Sequence, residues 1–247
     1  MSEWIKDFQA KFVLNFIKDD RYTFILDGFV ETIKITFFAI ILGLVLGVIT
    51  AVIRSTYDTT HTKKYGSLGQ RLTQYLLSLL NFIAKLYLTV IRGTPTLLQL
   101  LIIYFVIFGS VNINKTIVAV LAFGINSGAY IAEIVRSGIM SVDRGQFEAG
   151  RSLGLGYIST MCYIILPQAV KNILPAIGNE FIVLLKETSV SGYIAIQDLT
   201  KGADIIRSQT YDAFMPLMGA ALIYLVCVII LSYGVSLLER RLRVNER

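Results

Sequence analysis

The sequence predicts an all-α fold built into a membrane, a bundle of five transmembrane helices, and three observations predict it. Of the 247 residues, 55% are hydrophobic and only 16% charged, and the mean hydropathy is +0.65, far more apolar than an average soluble domain. The apolar residues come in long runs rather than at the helix or strand period of a water-soluble core. Lys and Arg, finally, gather in alternate connections between those runs, as the positive-inside rule requires of a multi-pass protein. An outer-membrane barrel is excluded, because its strands would read as segments of about ten alternating residues. The net charge of +6 and the isoelectric point of about 9.3 would suggest nucleic acid as the partner of a soluble protein. Here basic loops account for them.

The elements follow in chain order. Residues 1–27 form an external N-terminal segment, read as mature protein because they lack the pattern of a cleavable signal. Trp4, Phe8 and Phe12 recur every four residues and, with Ile5, Val13 and Phe16, make an apolar stripe beside Lys6, Asp7 and Lys11. That pattern predicts a helix lying on the membrane surface; a frayed tail is the alternative, since so short a helix is marginal in water. Residues 28–243 form the transmembrane domain and 244–247 a tail.

A membrane helix needs roughly 20 apolar residues to cross about 30 Å of hydrocarbon. Phe29–Ile53 meets that length, and within it Gly43 and Gly47 have the small-xxx-small spacing that lets helices approach closely. Leu72–Phe108 is interrupted at Arg92-Gly93-Thr94-Pro95. It reads as a cytoplasm-side helix, a break, and a span starting near Pro95, a residue suited to the first helical position. Thr116–Ile134 is the third span. Asn172–Ile196 carries Asn179, Glu180, Lys186, Glu187, Thr188 and Ser189 and spans only if other helices shield it. Phe214–Leu238 is free of charge and closes the bundle. Cys162 and Cys227 have neither metal-ligand nor disulfide spacing and are read as packing residues.

Five spans place the termini on opposite sides. Arg54, Lys63, Lys64 and Arg71 follow the first span, Arg136, Arg144, Arg151 and Lys171 the third, and Arg240, Arg241, Arg243 and Arg247 the last. These loops are assigned to the cytoplasm, with the N-terminus outside. The basic N-terminal tail (Lys6, Lys11, Lys18, Arg21) runs against the rule, and the odd helix number and the other loops override it.

The connection Arg136–Lys171 holds Glu148-Ala149-Gly150, three residues, Gly154, nine residues, then Ile164-Ile165-Leu166-Pro167. The small residues on a helix ending near Gly154 make a knob for a groove on another protein, and Pro167 keeps the next helix from continuing backwards. This loop, about 143–167, resembles the EAA loop of the permeases of ATP-binding-cassette importers, departing only at Gly150, where the family has Ala. The likeness extends over roughly Gly28 to Arg243. It takes in Arg92-Gly93-Thr94-Pro95 with Gln99, Gly128-Ala129-Tyr130 with Ala132-Glu133-Ile134, Ser152-Leu153-Gly154-Leu155, Pro167-Gln168-Ala169 and Leu184-Leu185-Lys186 with Thr188-Ser189. These look like the polar-amino-acid permeases of the histidine, glutamine and arginine type.

The resemblance implies a type I importer permease of the bacterial cell membrane, moving a polar amino acid such as glutamine, arginine, histidine or glutamate. It implies a second permease copy or paralogue, a substrate-binding protein on the outer side, and an ABC ATPase that docks on Glu148, Ala149, Gly150, Arg151, Ser152, Leu153, Gly154 and Leu155. ATP and Mg would be bound by that partner, because the sequence has no GxxxxGK[ST] phosphate loop. The chain itself is read as a transport subunit with no catalytic residue, cofactor or metal of its own.

An ionisable group inside a span is a candidate site. Glu187 is the first candidate for substrate binding, near the middle of the fourth span, and Ser189 lies beside it. Pairing of Glu187 with a Lys or Arg of another helix, which would only hold the bundle together, stands open. By resemblance Leu97, Gln99 and Leu100 also line the pathway, where the half-helix after Pro95 points free N–H groups at a carboxylate. Glu133 and Arg136 are spaced for an intrahelical ion pair. His61 has no partner at ligand spacing. Two rivals from other classes are weighed: a channel or gradient-driven carrier would show two-fold internal repeats, and an intramembrane enzyme would need paired catalytic groups. Neither signature is found in the sequence.

Overall fold

The computed structural model describes residues 3–60 and 68–243. His61, Lys63, Lys64 and the 244–247 tail with Arg247 lie outside the described residues. Ten α-helices are described: α1 (Glu3–Phe12), α2 (Tyr22–Thr60), α3 (Leu68–Arg92), α4 (Thr96–Leu101), α5 (Lys115–Met140), α6 (Arg144–Ser152), α7 (Tyr157–Thr160), α8 (Leu166–Glu187), α9 (Leu199–Thr210) and α10 (Phe214–Arg243). Short π and 3₁₀ stretches join several of them, and no strand occurs among the described residues.

Five helical runs are long and apolar enough to cross a membrane: Tyr22–Asp58, Leu68–Arg92, Lys115–Met140, Tyr157–Ile194 and Phe214–Leu242. The number agrees with expectation, and the break at Gly93-Thr94-Pro95 is present: α3 before it has the length and composition of a span, and the apolar run after it, Thr96–Ile107, is shorter. Outward-facing apolar side chains are the rule along these helices, as on Phe82, Ile83 and Leu86 of α3 and Leu225, Ile229 and Ile230 of α10. Such surface is at home in lipid and not in water.

The chain divides into two compact units. The first comprises Met1–Ala39, Thr96–Phe123 and Phe181–Ser232. Its core joins Ile25 to Leu199, Ala203, Ile206 and Ala220, with Phe16, Phe24 and Phe29 packed around them. Two glycines bring α2 and the start of α9 into backbone contact. A Cβ on Gly28 would sit 2.5 Å from the Asp198 carbonyl oxygen, and one on Gly202 would sit 2.2 Å from that of Phe24. The N-terminal segment is helical from Glu3 to Phe12 with no buried residue. It is anchored one turn later, where buried Asn15 donates to Asp212 at 2.8 Å and accepts from Thr210 at 2.8 Å.

The second unit comprises Ile40–Pro95, Gly124–Glu180 and Tyr233–Arg247. The Gly43/Gly47 spacing does what it predicts: added Cβ atoms would meet Gly128 N at 3.2 Å and Ile131 Cγ2 at 2.6 Å, so α2 lies directly on α5. The Tyr87 hydroxyl donates to the Ile125 carbonyl at 2.6 Å, tying α3 to α5 around the Leu88, Ala129 and Ala132 core. Pro167 corrects an expectation. α8 begins at Leu166, but the helical run does continue backwards past the proline, through the π turn Met161–Ile165 to Tyr157. The wider turn relieves the clash between a proline ring and the carbonyl four residues back, so the helix passes through. Cys162, in that π turn, is exposed rather than packed, and Cys227 is half-buried.

Candidate functional site

Two places carry the sequence-derived candidates. The first is the loop around α6. Asp143 caps this helix, its carboxylate accepting from the Gly145 N–H at 2.6 Å. The helix stops as a Schellman motif: Leu155 N–H bonds the Gly150 carbonyl at 3.1 Å, Gly154 N–H bonds that of Arg151 at 3.0 Å, and Gly154 takes φ +81°. Here glycine is required, since that backbone region penalises a side chain. Phe147 stacks on Tyr157 at 5.9 Å between ring centres, fastening α6 to α7.

The expected small-residue knob is only half right. Ala149 is exposed, but Gly150 is buried within the chain, and a Cβ there would lie 2.8 Å from Thr160 Cγ2 and 2.9 Å from Thr160 Oγ1. Gly150 is small so that α6 can lie on α7, not so that a partner can reach it. What the loop does offer outward is Glu148, Ala149, Arg151, Ser152, Gly154 and two leucines, Leu153 at 79% exposure and Leu155 at 37%.

The second place lies in the first unit, at the end of α8. Glu187 is the last residue of α8, and the chain continues as a 3₁₀ helix, Thr188–Ile194. It therefore stands nearer the end of its run, Tyr157–Ile194, than the middle. Its carboxylate is hydrogen-bonded to Thr96, the first residue of α4 after the Pro95 break. The structure so joins Glu187 to the segment that holds Leu97 and Gln99. Leu97 is half-buried, Gln99 is 7% exposed and Leu100 is fully buried. Ser189 points elsewhere, into a cavity it shares with Gly192, Tyr193, Thr200, Lys201 and Leu217.

A polar cluster that sequence reasoning missed underlies the Glu187 region. Buried Asp198 accepts from the Ser191 hydroxyl at 2.6 Å and from the N–H groups of Gly192 at 2.8 Å and Lys201 at 2.7 Å. It caps α9, and the Thr32 hydroxyl accepts from the next N–H, of Leu199, at 3.0 Å. Thr36 and Thr188 meet at 3.4 Å. Burial pushes the Asp198 carboxyl above its usual range, opposed by those donors. Asp204, in contrast, is held below that range by hydrogen bonds from Lys201 and then Arg207. The acid-before-helix signal at Asp198 was present in the sequence, but its partners Thr32 and Ser191 were not deducible from it.

In the second unit, Glu133 and Arg136 form the expected intrahelical pair at 2.7 Å. Arg92 joins from α3 at 3.6 Å, its guanidinium also 5.8 Å from the Tyr130 ring centre.

Comparison with known proteins brings likenesses to this architecture. Residues 67–244 match the family described as binding-protein-dependent transport system inner membrane component. A putative glutamine transport system permease protein, GlnP, of Rickettsia prowazekii (strain Madrid E) is 36% identical over 91% of this chain and 95% of its own length. The arginine transport system permease protein ArtQ of Bacillus subtilis (strain 168) is 38% identical over 90% of this chain and 94% of its own. A crystal structure of an amino acid ABC transporter with histidines superposes with a TM-score of 0.77 at 42% identity, covering 92% of this chain and 98% of that one.

Proposed function

The chain belongs to the binding-protein-dependent transport system inner membrane component family, and from that premise we propose that it is the permease subunit of an importer for a polar amino acid, energised by a separate ATPase. The observation that carries this reading is the likeness, over nine-tenths of the chain, to permeases named for glutamine and arginine. The α6 loop supports the division of labour: it presents a capped, Schellman-terminated helix with Leu153 exposed, a rigid element for a nucleotide-binding partner to grip. ATP and Mg belong to that partner, whose closure would draw two such loops together and switch a pathway shared with a second permease copy or paralogue. The distribution of basic loops supports α6 and the C-terminus in the bacterial cytoplasm and the N-terminus outside, where a binding protein would deliver the substrate. No bond is made or broken in this chain.

Glu187 and Gln99, brought to one segment through Thr96, are the groups we assign to the substrate, the carboxylate to an ammonium or guanidinium. Leu97 supplies apolar contact and buried Leu100 supports it from behind, while Ser189 faces a separate cavity. The test is ATP hydrolysis by the chain assembled with its ATPase in lipid nanodiscs, against a panel of amino acids on their binding proteins. One polar amino acid should stimulate hydrolysis, and Glu187→Ala should reduce the response. Stimulation that survives the substitution would leave Glu187 a structural residue.

A further inference from the structure

A cavity of about 540 Å³ in the second unit is lined by Arg54, Lys85, Thr89, Arg92, Glu133 and Arg136. Four cations thus surround one carboxylate, and that carboxylate is already shared by Arg136 and Arg92. Asp58 adds a second negative charge near Arg136. Arg54 and Lys85 have no ion pair among the described residues. The Arg54 Nε is buried without a hydrogen-bond partner. A guanidinium N–H without an acceptor is costly, so Arg54 is a cation that the chain itself, among its described residues, leaves unneutralised.

The surroundings say what kind. Arg54, Arg136 and Arg92 sit within the last two turns of α2, α5 and α3. Helix C-termini favour cations only within their final turn and only weakly, which does not explain a cationic ring that includes exposed Lys85. On the adjoining face of α3, Phe82 is 63% exposed, Leu86 54% and Val90 49%. An anion seated against Arg54 and Lys85 would thus have uncovered apolar surface running away from it.

We propose that this cavity is an anion site for a phosphate group, filled by the phosphodiester head of an anionic glycerophospholipid whose acyl chain lies along α3. Arg54 and Lys85 supply its charge-assisted hydrogen bonds, while Arg92 and Arg136 remain anchored on Glu133. A zwitterionic lipid offers the same phosphate with its charge cancelled and binds less well. Inorganic phosphate carries the same chemistry without the chain.

The test is native mass spectrometry of the purified full chain released from detergent, titrated with phosphatidylglycerol, with phosphatidylcholine of matched chains, or with inorganic phosphate. Wild type should retain phosphatidylglycerol well above phosphatidylcholine. Arg54→Gln with Lys85→Gln should lower that retention about thirtyfold, which is about 1 kcal/mol for each charge near the surface. Arg71→Gln with Arg240→Gln, which removes the same charge away from the cavity, should leave the preference for phosphatidylglycerol over phosphatidylcholine much closer to wild type than the Arg54/Lys85 double variant does. Lys85→Gln alone, on an exposed position, guards against a folding defect and should lose about fivefold by the same per-charge figure. If inorganic phosphate binds wild type and not the double variant while lipid does not, the anion site stands with a soluble source. Equal retention of the two lipids together with no phosphate binding, or a double variant that holds phosphatidylglycerol like wild type, overturns the proposal.

Discussion

Substituting Gly150 by Ala tests whether α6 is held by its contact with α7. The change restores the residue the family pattern has, and in an isolated helix it would be favourable by about 1 kcal/mol. In this chain the new methyl meets Thr160 Cγ2 at 2.8 Å and Oγ1 at 2.9 Å, with Ile164 Cδ1 at 3.1 Å. Rotation of Thr160 about χ1 only exchanges one close atom for the other, so the turn must move, at a typical overpacking cost of about 1–3 kcal/mol. The Thr160 hydroxyl is buried without a hydrogen-bond partner, so Thr160→Ala removes a clash and an unsatisfied group together and should cost little. The single Gly150→Ala variant is then neutral to about 2 kcal/mol destabilised. In the Thr160→Ala background the same change stabilises by about 1 kcal/mol, the helix-propensity gain alone. Unfolding in mixed micelles of the four proteins of this double-mutant cycle measures the coupling, expected at about 2 kcal/mol. Capture of the partner ATPase should follow the same order. A cycle that closes within about 0.5 kcal/mol, the scatter of independent sites, would refute the packing role of Gly150.

Gly47→Ala should weaken the chain more than Gly43→Ala, because its Cβ would meet Ile131 Cγ2 at 2.6 Å whereas the nearest contact at Gly43 is 3.2 Å; unfolding in mixed micelles ranks the two, and Ile131→Ala should not restore the first, since Ile131 Cβ at 2.7 Å and the Ala132 N at 3.0 Å remain. Asp198 gives a pH dependence of definite sign. Its folded carboxyl is raised by burial above the usual 3.8, so its contribution is fully present below that value and is lost as the pH rises through the folded value. Asp198→Asn should flatten that part of a thermal-stability profile. Asp204, held below 3.8 by Lys201 and Arg207, acts oppositely: stability is present above 3.8 and lost as the pH falls, and Asp204→Asn should remove the acid-side loss.

Much of the architecture was legible because the bilayer imposes it locally. Apolar runs, Lys/Arg asymmetry and the Gly43/Gly47 spacing are properties of short stretches, and so is the i,i+3 pair of Glu133 and Arg136. The α6 helix was readable for the same reason, from its small residues and its stop near Gly154, although its Asp143 cap was not. What was not legible depends on contacts across the chain. Gly150 looked like a surface knob because nothing local says that Thr160 folds back onto it. Pro167 looked like a stop to backward continuation of its helix because the π turn at Met161–Ile165 that accommodates it leaves no mark in composition. Glu187 was found as an intramembrane carboxylate, yet its partner Thr96 lies far away in sequence. The Asp198 cluster draws on Thr32, Ser191 and Leu199 and needed the fold to assemble it.

The central claim, that this chain passes substrate at the expense of ATP spent by a partner gripping α6, is tested most directly in proteoliposomes holding the chain, its ATPase and its binding protein. Uptake of a labelled polar amino acid should require ATP, persist when ion gradients are collapsed, and vanish in Leu153→Asp, which puts a charge on the exposed anchor. Uptake that runs without ATP and stops with the ion gradient would contradict the account and make the chain a gradient-driven carrier.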